Sequence, residues 1–443
     1  MKYFVFVVAA AGVPPLAFLL FLNRWWMKYV VWAVAVAMCF YNSTAINFFS
    51  CEDYRGSSRG MEVSAIYLLS LAVLGAIALR KRLKGPAPEA GFWLYIAYFA
   101  LCLPSFATAA DGLFAWFEIW KMAMLYLFLY MVFMYLSLTD DLKTVVNSLA
   151  AFAVFNMLVV VRDHFSGTYQ PHGVFPHQNS MAMAMQLMGP LFFAHYLRHG
   201  LRGLSGKLCA AAFVCAAGAT ARSYSRMALA LMPVAYGVAA LASFTRREWR
   251  TWFRRMVPVA LAGAVGLGAM LPRIVERFAT APKASADTRV QLALCAVEMI
   301  KDEPWRGVGA NNWGIKINPP YDYAERAERE TNRKDEDFRD GIVETVYLLV
   351  GAECGLPALA AMVAWMLWYL FSSFRLAGKL RGAYASFVPA GFAGGLAAIY
   401  LQSAFEWVLR QQLNLVCLMF AFAAIAYLNR NWRRLAGGRG AAA

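Results

Sequence analysis

Apolar runs of about twenty residues recur along the whole chain, separated by short polar or basic breaks. At 1.5 Å rise per residue, a helical run of that length crosses the roughly 30 Å hydrocarbon core of a bilayer. Outer-membrane barrels would instead need ten-residue segments alternating apolar and polar positions. Runs such as MAMLYLFLYMVFMYLSL do not alternate. The pattern predicts an all-α polytopic membrane protein with about 12–13 transmembrane helices. The thirteen candidate spans are 3–22, 28–48, 63–79, 92–109, 112–138, 143–162, 179–197, 206–221, 225–244, 256–272, 342–372, 386–406 and 412–428. The first contains Pro14 and Pro15, residues that break helices.

The breaks alternate in charge. RKRLKG at 80–85, LRHGLRGLSGK at 197–207, TRREWRTWFRR at 245–255, SFRLAGKLRG at 373–382 and the tail NRNWRRLAGGRG are basic. The intervening loops are not, and the positive-inside rule assigns the basic set to the cytoplasm. Thirteen spans then put the N-terminus outside and the C-terminus inside. One outer break is different in kind, a polar stretch of 69 residues from 273 to 341 holding 13 acidic and 12 basic residues. Loops this long are uncommon and usually functional or disordered. The chain therefore divides into an N-terminal transmembrane bundle (1–272), a large periplasmic loop (273–341), C-terminal transmembrane helices (342–430) and a basic cytoplasmic tail (431–443). Within the loop, ADTRVQLALCAVEMIKDEPW has the apolar spacing of an amphipathic helix, with Asp287 as a plausible N-cap and Pro304 as its end. The second half, YAERAERETNRKDEDFRD, reads as a charged and mobile segment.

Composition fits this reading. The chain is 61% hydrophobic over 443 residues, far above an ordinary soluble domain. Its net charge of +16 is explained by the basic inner loops and implies no nucleic-acid partner. Eight scattered cysteines without a CxxC pair read as small core residues. The first 22 residues are hydrophobic but precede FLNRWWMKY, the look of a span end with interfacial aromatics and not of a cleaved signal. No P-loop, dinucleotide fingerprint, HExxH or metal-spaced His/Asp/Glu cluster occurs, so no cofactor and no metal are expected.

Polar residues that lipid would reject gather on the predicted outer face: Arg162, His164, His172, His177, Gln178, Asn179, Arg222, Ser223, Ser225, Arg226, Arg289, Asn311, Asn312, Glu344, Glu353, Gln402, Glu406 and Arg410. Arg222 and Arg226, four apart in TARSYSRMALAL, would share a helix face. They either snorkel to lipid phosphates or form an anion site, where guanidinium forks bind phosphate without losing charge. Asn179 or Ser180 can cap the span that follows VFPHQNS, leaving His177 as the residue with spare chemistry or as a packing residue. Glu344 opens a long apolar span, where a helix N-terminus favours a carboxylate. Glu353 lies more than two turns inside that span and calls for an arginine partner.

Four stretches carry a resemblance. Phe175, His177, Asn179 and Ala182 form the first. Ser225, Arg226, Ala228 and Leu229 form the second. Arg289, Met299, Ile300, Pro304, Gly307, Gly309, Asn311 and Trp313 form the third, and Tyr347, Leu348, Glu353, Gly355 and Leu356 the fourth. Their order and sidedness resemble the O-antigen ligase and polymerase superfamily of bacterial membrane glycosyltransferases, over roughly residues 160 to 425. The resemblance implies a GT-C-like membrane fold in the bacterial inner membrane and a metal-independent, inverting transfer on the periplasmic face. The donor would be an undecaprenyl-pyrophosphate-linked glycan. The acceptor would be a sugar hydroxyl, on another lipid-linked glycan for a polymerase or on lipid A core for a ligase. Membrane lipids and other polysaccharide-assembly proteins are the further partners it implies. Carried over, Arg226 and Arg289 hold the pyrophosphate, with Arg222 beside them, while His177, Asn179, Glu353, Asn311 and Asn312 line the substrate site. Many ligases have a His where the loop re-enters the membrane. This chain reads VETVYLL there, so Glu344 is the candidate base, which tilts the reading towards an exopolysaccharide polymerase over a ligase. A transporter or flippase would instead place its polar residues near the bilayer midplane, between internal repeats.

Overall fold

The computed structural model describes residues 2–80, 89–279, 283–331 and 336–437. Most of the basic segment 80–85 and the end of the tail lie outside the described residues. The chain is helical almost throughout. Its first third runs through α1 (Lys2–Ala11), α2 (Val13–Leu22), α3 (Met27–Cys39), the short α4 (Tyr41–Thr44), α5 (Ala65–Leu79), α6 (Ala90–Cys102) and α7 (Gly112–Thr139). The middle contains α8 (Leu142–Phe165), α9 (Gln178–His199), α10 (Gly203–Arg222), α11 (Arg226–Ser243) and α12 (Trp249–Ala279). Then come α13 (Lys283–Asp302), α14 (Trp313–Lys316), α15 (Tyr323–Thr331), α16 (Val346–Lys379), α17 (Phe387–Gln402) and α18 (Gln412–Ala436). The strands β1 (Ala45–Phe48) and β2 (Met61–Ser64) pair antiparallel, with Ala45 opposite Ser64 and Phe48 opposite Met61.

Among the described residues, nine helices are long and apolar enough to cross a membrane, so the chain is a multi-pass, all-α membrane protein. That is fewer than thirteen. The expected span 28–48 ends as a helix at Cys39, and its remainder turns into α4 and β1. The span at 63–79 starts as strand β2 and leaves a helix of 15 residues. The span at 256–272 lies within α12. The span at 179–197 is α9, which is nearly all buried between α10, α11 and α17. A helix walled by protein needs no lipid-facing apolar surface, so Gln178, Asn179, Gln186 and His195 are tolerated in it. The first span divides at Gly12 into α1 and α2, with Pro14 and Pro15 in the first turn of α2, where a missing N–H is harmless.

Two ends of the bundle have opposite characters. One carries the basic connections and is tied by Arg198 to Glu248 at 2.7 Å and by Arg434 to Asp140. The other gathers the β-hairpin, the α6–α7, α10–α11 and α17–α18 connections and the long α12–α16 excursion. We call it the loop end.

The excursion is folded. Leu292, Cys295, Ala296 and Met299 of α13 pack with Trp313, Ile317, Tyr323, Ala324, Ala327 and Phe338 into a small core continuous with Leu349 and Ala352 of α16. The expected mobile second half therefore contains a helix, α15, whose Tyr323, Ala324 and Ala327 lie on one face in the i, i+1, i+4 pattern. Residues 332–335 of that expectation lie outside the described residues. Asp287 is inside α13 and not its cap, because the helix begins at Lys283. The helix does stop at Asp302, just short of Pro304.

The excursion is clipped to the membrane helix through main-chain groups. Gly355 interrupts α16 with a φ of 85°, which leaves helix carbonyls and amides unpaired around it. Val308 N–H donates to the Ala352 carbonyl at 2.8 Å, Gly309 N–H to the Glu353 carbonyl at 3.1 Å, and Leu356 N–H to the Pro304 carbonyl at 2.8 Å. Gly307, with φ 71°, sits so close that an added Cβ would lie 2.4 Å from the Glu353 carbonyl.

Candidate functional site

Beneath the loop end lies a buried frame of four charges from three parts of the chain. Glu118 and Lys121 sit one turn apart on α7, 2.6 Å from each other. Arg410, before α18, reaches Glu118 at 2.8 Å and Glu353 at 2.7 Å. Two acids and two bases cancel, which is what burial of ionised groups demands. Ser57 and Ser58 of the hairpin connection each donate to Glu118 at 2.8 Å, and Trp313 N–H donates to Glu353 at 3.4 Å. The frame thus ties the hairpin, α7, α16 and the excursion together.

Asn311 and Asn312 belong to the same layer. Asn311 donates to the carbonyls of Ser58 (2.8 Å) and Phe114 (3.0 Å) and accepts from Ser58 N–H at 3.1 Å. Asn312 accepts from Asp111 N–H at 2.8 Å and donates to its carbonyl at 3.1 Å. Both side chains are fully buried, as is Glu353. The structure therefore places these three residues, expected to line the substrate site, inside the protein, with their polar atoms engaged by other parts of the chain.

Above the frame, nearer solvent, a second polar group converges. Arg289 of α13 and Glu344, just ahead of α16, are 3.9 Å apart, each with about a third of its side chain exposed (37% and 35%). Charge-assisted N–H···O bonds are about 2.7–2.9 Å, so the two face each other without being clamped. Glu406, in the α17–α18 connection, accepts from Gln402 Nε2 at 2.8 Å and from Ser225 Oγ at 3.2 Å. Burial pushes the Glu406 carboxyl from 4.5 up to about 7; the Gln402 and Ser225 hydrogen bonds pull it down, the Glu344 charge adds to the rise and Arg289 opposes it. Glu344 is likewise raised, by burial first, with Arg289 opposing. The mutual influence puts Glu344, Arg289 and Glu406 in one electrostatic neighbourhood.

Ser225 brings the arginine stretch into it. It is the N-cap of α11, its Oγ accepting from Ala228 N–H at 3.5 Å, and Arg226 is the first residue of that helix. The turn before it is tight: Tyr224 holds a left-handed φ of 51° and is buried. Arg222, at the end of α10, donates to His164 Nδ1 at 2.6 Å and to the Tyr224 hydroxyl at 3.0 Å. Arg222 is thereby engaged with the α8 end, while the next turn touches Glu406.

His177 is partly exposed and is itself the N-cap of α9, its Nδ1 accepting from Asn179 N–H at 3.2 Å. The cap expected at Asn179 or Ser180 falls two or three residues earlier, at His177; Ser180 instead donates to Gln411 Oε1. With Nδ1 accepting, the neutral ring carries its proton on Nε2, and burial together with His172 lowers its affinity for a second proton.

Glu406, Glu118 and Lys121 had no assigned role in the sequence. Glu406 was visible only as one outer polar residue among many. Glu118 and Lys121 had a usable signal, an i, i+3 acid–base pair inside an apolar run, the pattern of a buried pair. Among the described residues, no three His, Cys, Asp or Glu side chains form a metal-binding group.

Residues 211–363, from the middle of α10 to the middle of α16, match the family described as O-antigen ligase. That stretch contains Arg222, Arg226, Arg289, Asn311, Asn312, Glu344 and Glu353, whereas His177, Asn179 and Glu406 fall outside it. No curated protein matches the chain.

Proposed function

We propose that this chain, which carries an O-antigen ligase family domain over residues 211–363, transfers glycan from an undecaprenyl-pyrophosphate donor to a sugar hydroxyl at the periplasmic face of the bacterial inner membrane. The observation that carries the reading is the loose pairing of Arg289 with Glu344, 3.9 Å apart and partly exposed, beside Glu406 and the turn that starts at Ser225. Glu344 takes the proton from the acceptor hydroxyl. The oxygen forms its bond to the anomeric carbon from the face opposite the leaving group, the glycosidic C–O bond to phosphate breaks, and the centre inverts. Negative charge then grows on the departing lipid pyrophosphate, where Arg289 and Arg226 stabilise it without reorganising. His177 and Asn179, at the start of α9, serve as a wall for the sugars.

Glu344 and Thr345 stand where many ligases have a His followed by Asn or Thr, which favours a polymerase acting on lipid-linked glycan. The matched domain is described as O-antigen ligase, which favours the ligase reading; the acceptor would then be lipid A core. The product separates them. Purified chain in lipid nanodiscs, given a labelled lipid-pyrophosphate oligosaccharide alone, forms longer lipid-linked glycan if it is a polymerase. Glu344→Gln lowers that turnover by about 10²–10⁴, the range of a lost general base, while the donor still binds. Unchanged turnover in Glu344→Gln overturns the assignment.

A further inference from the structure

A cavity of about 270 Å³ opens at the loop end, between the start of the chain and the β-hairpin. Its lining includes Tyr3, Tyr41, Asn42, Asn47, Glu52 and Glu62. None of these residues belongs to the group around Arg289 and Glu344. The cavity lies just under the roughly 300 Å³ at which small-molecule sites begin, a size for one compact polar ring and not for an extended chain.

Its chemistry is specific in kind. The lining is mostly polar, with amides, carboxyls and hydroxyls of both donor and acceptor kind. That combination suits a compact molecule with hydroxyls around its rim. Glu62 is the fixed point. Tyr41 donates to one of its oxygens, and its own carbonyl accepts from Trp120 Nε1 at 3.0 Å, which anchors β2 to α7. Burial moves the Glu62 carboxyl from 4.5 up to about 7, with Lys121 opposing, so near neutral pH it is available both to donate and to accept. The lining holds two acids and no Lys or Arg. An anion entering it would meet two carboxyls and no lining cation to offset them.

We propose that this cavity is a subsite for a single sugar residue of the glycan, one that admits neutral or amino sugars and excludes uronic acids. The proposal rests on the transferase reading for the word glycan, but its test does not. The full chain is solubilised in a detergent without a sugar headgroup and probed by saturation-transfer NMR with glucose, glucosamine and glucuronate. Glucose or glucosamine binds and glucuronate does not. Asn42→Trp and Ser50→Trp, at exposed positions on the rim, fill the cavity and weaken that binding by at least about tenfold, with an unchanged melting temperature. Absence of binding by all three sugars overturns the proposal. So does glucuronate binding as well as glucose, or binding in both tryptophan variants equal to wild type. Glu344→Gln binds sugar like wild type. If the wild-type chain forms no new glycosidic bond while the cavity binds sugar, the transferase assignment falls and the subsite stands.

Discussion

Ser225 Oγ donates to Glu406 Oε1 at 3.2 Å, joining the α10–α11 turn to the α17–α18 connection. The same serine caps α11, so one hydroxyl sets both the start of the helix that carries Arg226 and its distance from the carboxylates. Ser225→Ala removes both contacts. It is expected to destabilise by about 1 kcal/mol, the typical loss of an N-cap, and to lower transfer at least about tenfold through displacement of Arg226. Ser225→Thr, which keeps the hydroxyl, is expected to recover most of the activity. Equal activity in the Ala and Thr variants would show that the contact does not position the arginine.

The two raised carboxyls predict a pH dependence. A general base works deprotonated, so transfer rises with pH up to the apparent pKa of the Glu344–Glu406 pair, which belongs to the pair and not to either residue. The acid limb should therefore lie above the ordinary glutamate value of 4.5. Glu406→Gln removes a like charge and should move that limb to lower pH. Stability runs the other way. A carboxyl whose folded pKa is raised contributes its full stabilisation below 4.5 and loses it as pH rises through about 7. Wild type should lose melting temperature between pH 5 and 8 more steeply than Glu406→Gln. A steeper loss in the variant would contradict the burial of that charge.

Arg410 neutralises Glu118 and Glu353 at once, at 2.8 and 2.7 Å. Arg410→Met leaves two acids facing only Lys121, and breaking a buried pair from one side costs about 3–5 kcal/mol. The double variant Arg410→Met/Glu353→Gln should regain part of that loss. Thermal unfolding in detergent measures both, and a double variant less stable than the single one would refute the coupling.

Gly307→Ala tests the clip. Its Cβ would meet the Glu353 carbonyl at 2.4 Å, and its φ of 71° disfavours any side chain. A loss of about 1–3 kcal/mol is expected, with transfer reduced as α13 and Arg289 lose their anchor. Gly378→Ala, with open space around its Cβ, serves as the control and should be neutral or slightly stabilising. Equal melting temperatures for the two variants would remove the clip from the account.

The helical, multi-pass character was legible because lipid imposes a long apolar period that nothing else in the sequence imitates. What misled was the assumption that every apolar run meets lipid. The chain at 41–48 turns into α4 and the first hairpin strand, and α9 is surrounded by protein. Glu353 was correctly expected to need an arginine, since its depth alone requires one; Arg410, 57 residues away, supplies it. Asn311 and Asn312 were harder. An Asn in a Gly-rich turn offers the same letters whether it reaches for a ligand or for a neighbouring main chain, and only the approach of Ser58 and Asp111 decides. Glu406 stayed hidden because Ser225, the partner that ties it to the arginine stretch, comes from a different helix pair, 181 residues away.

The main-chain attachment of Pro304–Gly309 to α16 has a consequence for how such a chain can diversify. Backbone groups do the fastening, so most side-chain changes in the excursion leave the mooring intact. Exchange is limited where the excursion has its own core: Ile317, Tyr323, Ala324, Ala327 and Phe338 pack with α13. Substitutions at positions facing away from that core leave Arg289 and Glu344 at their spacing.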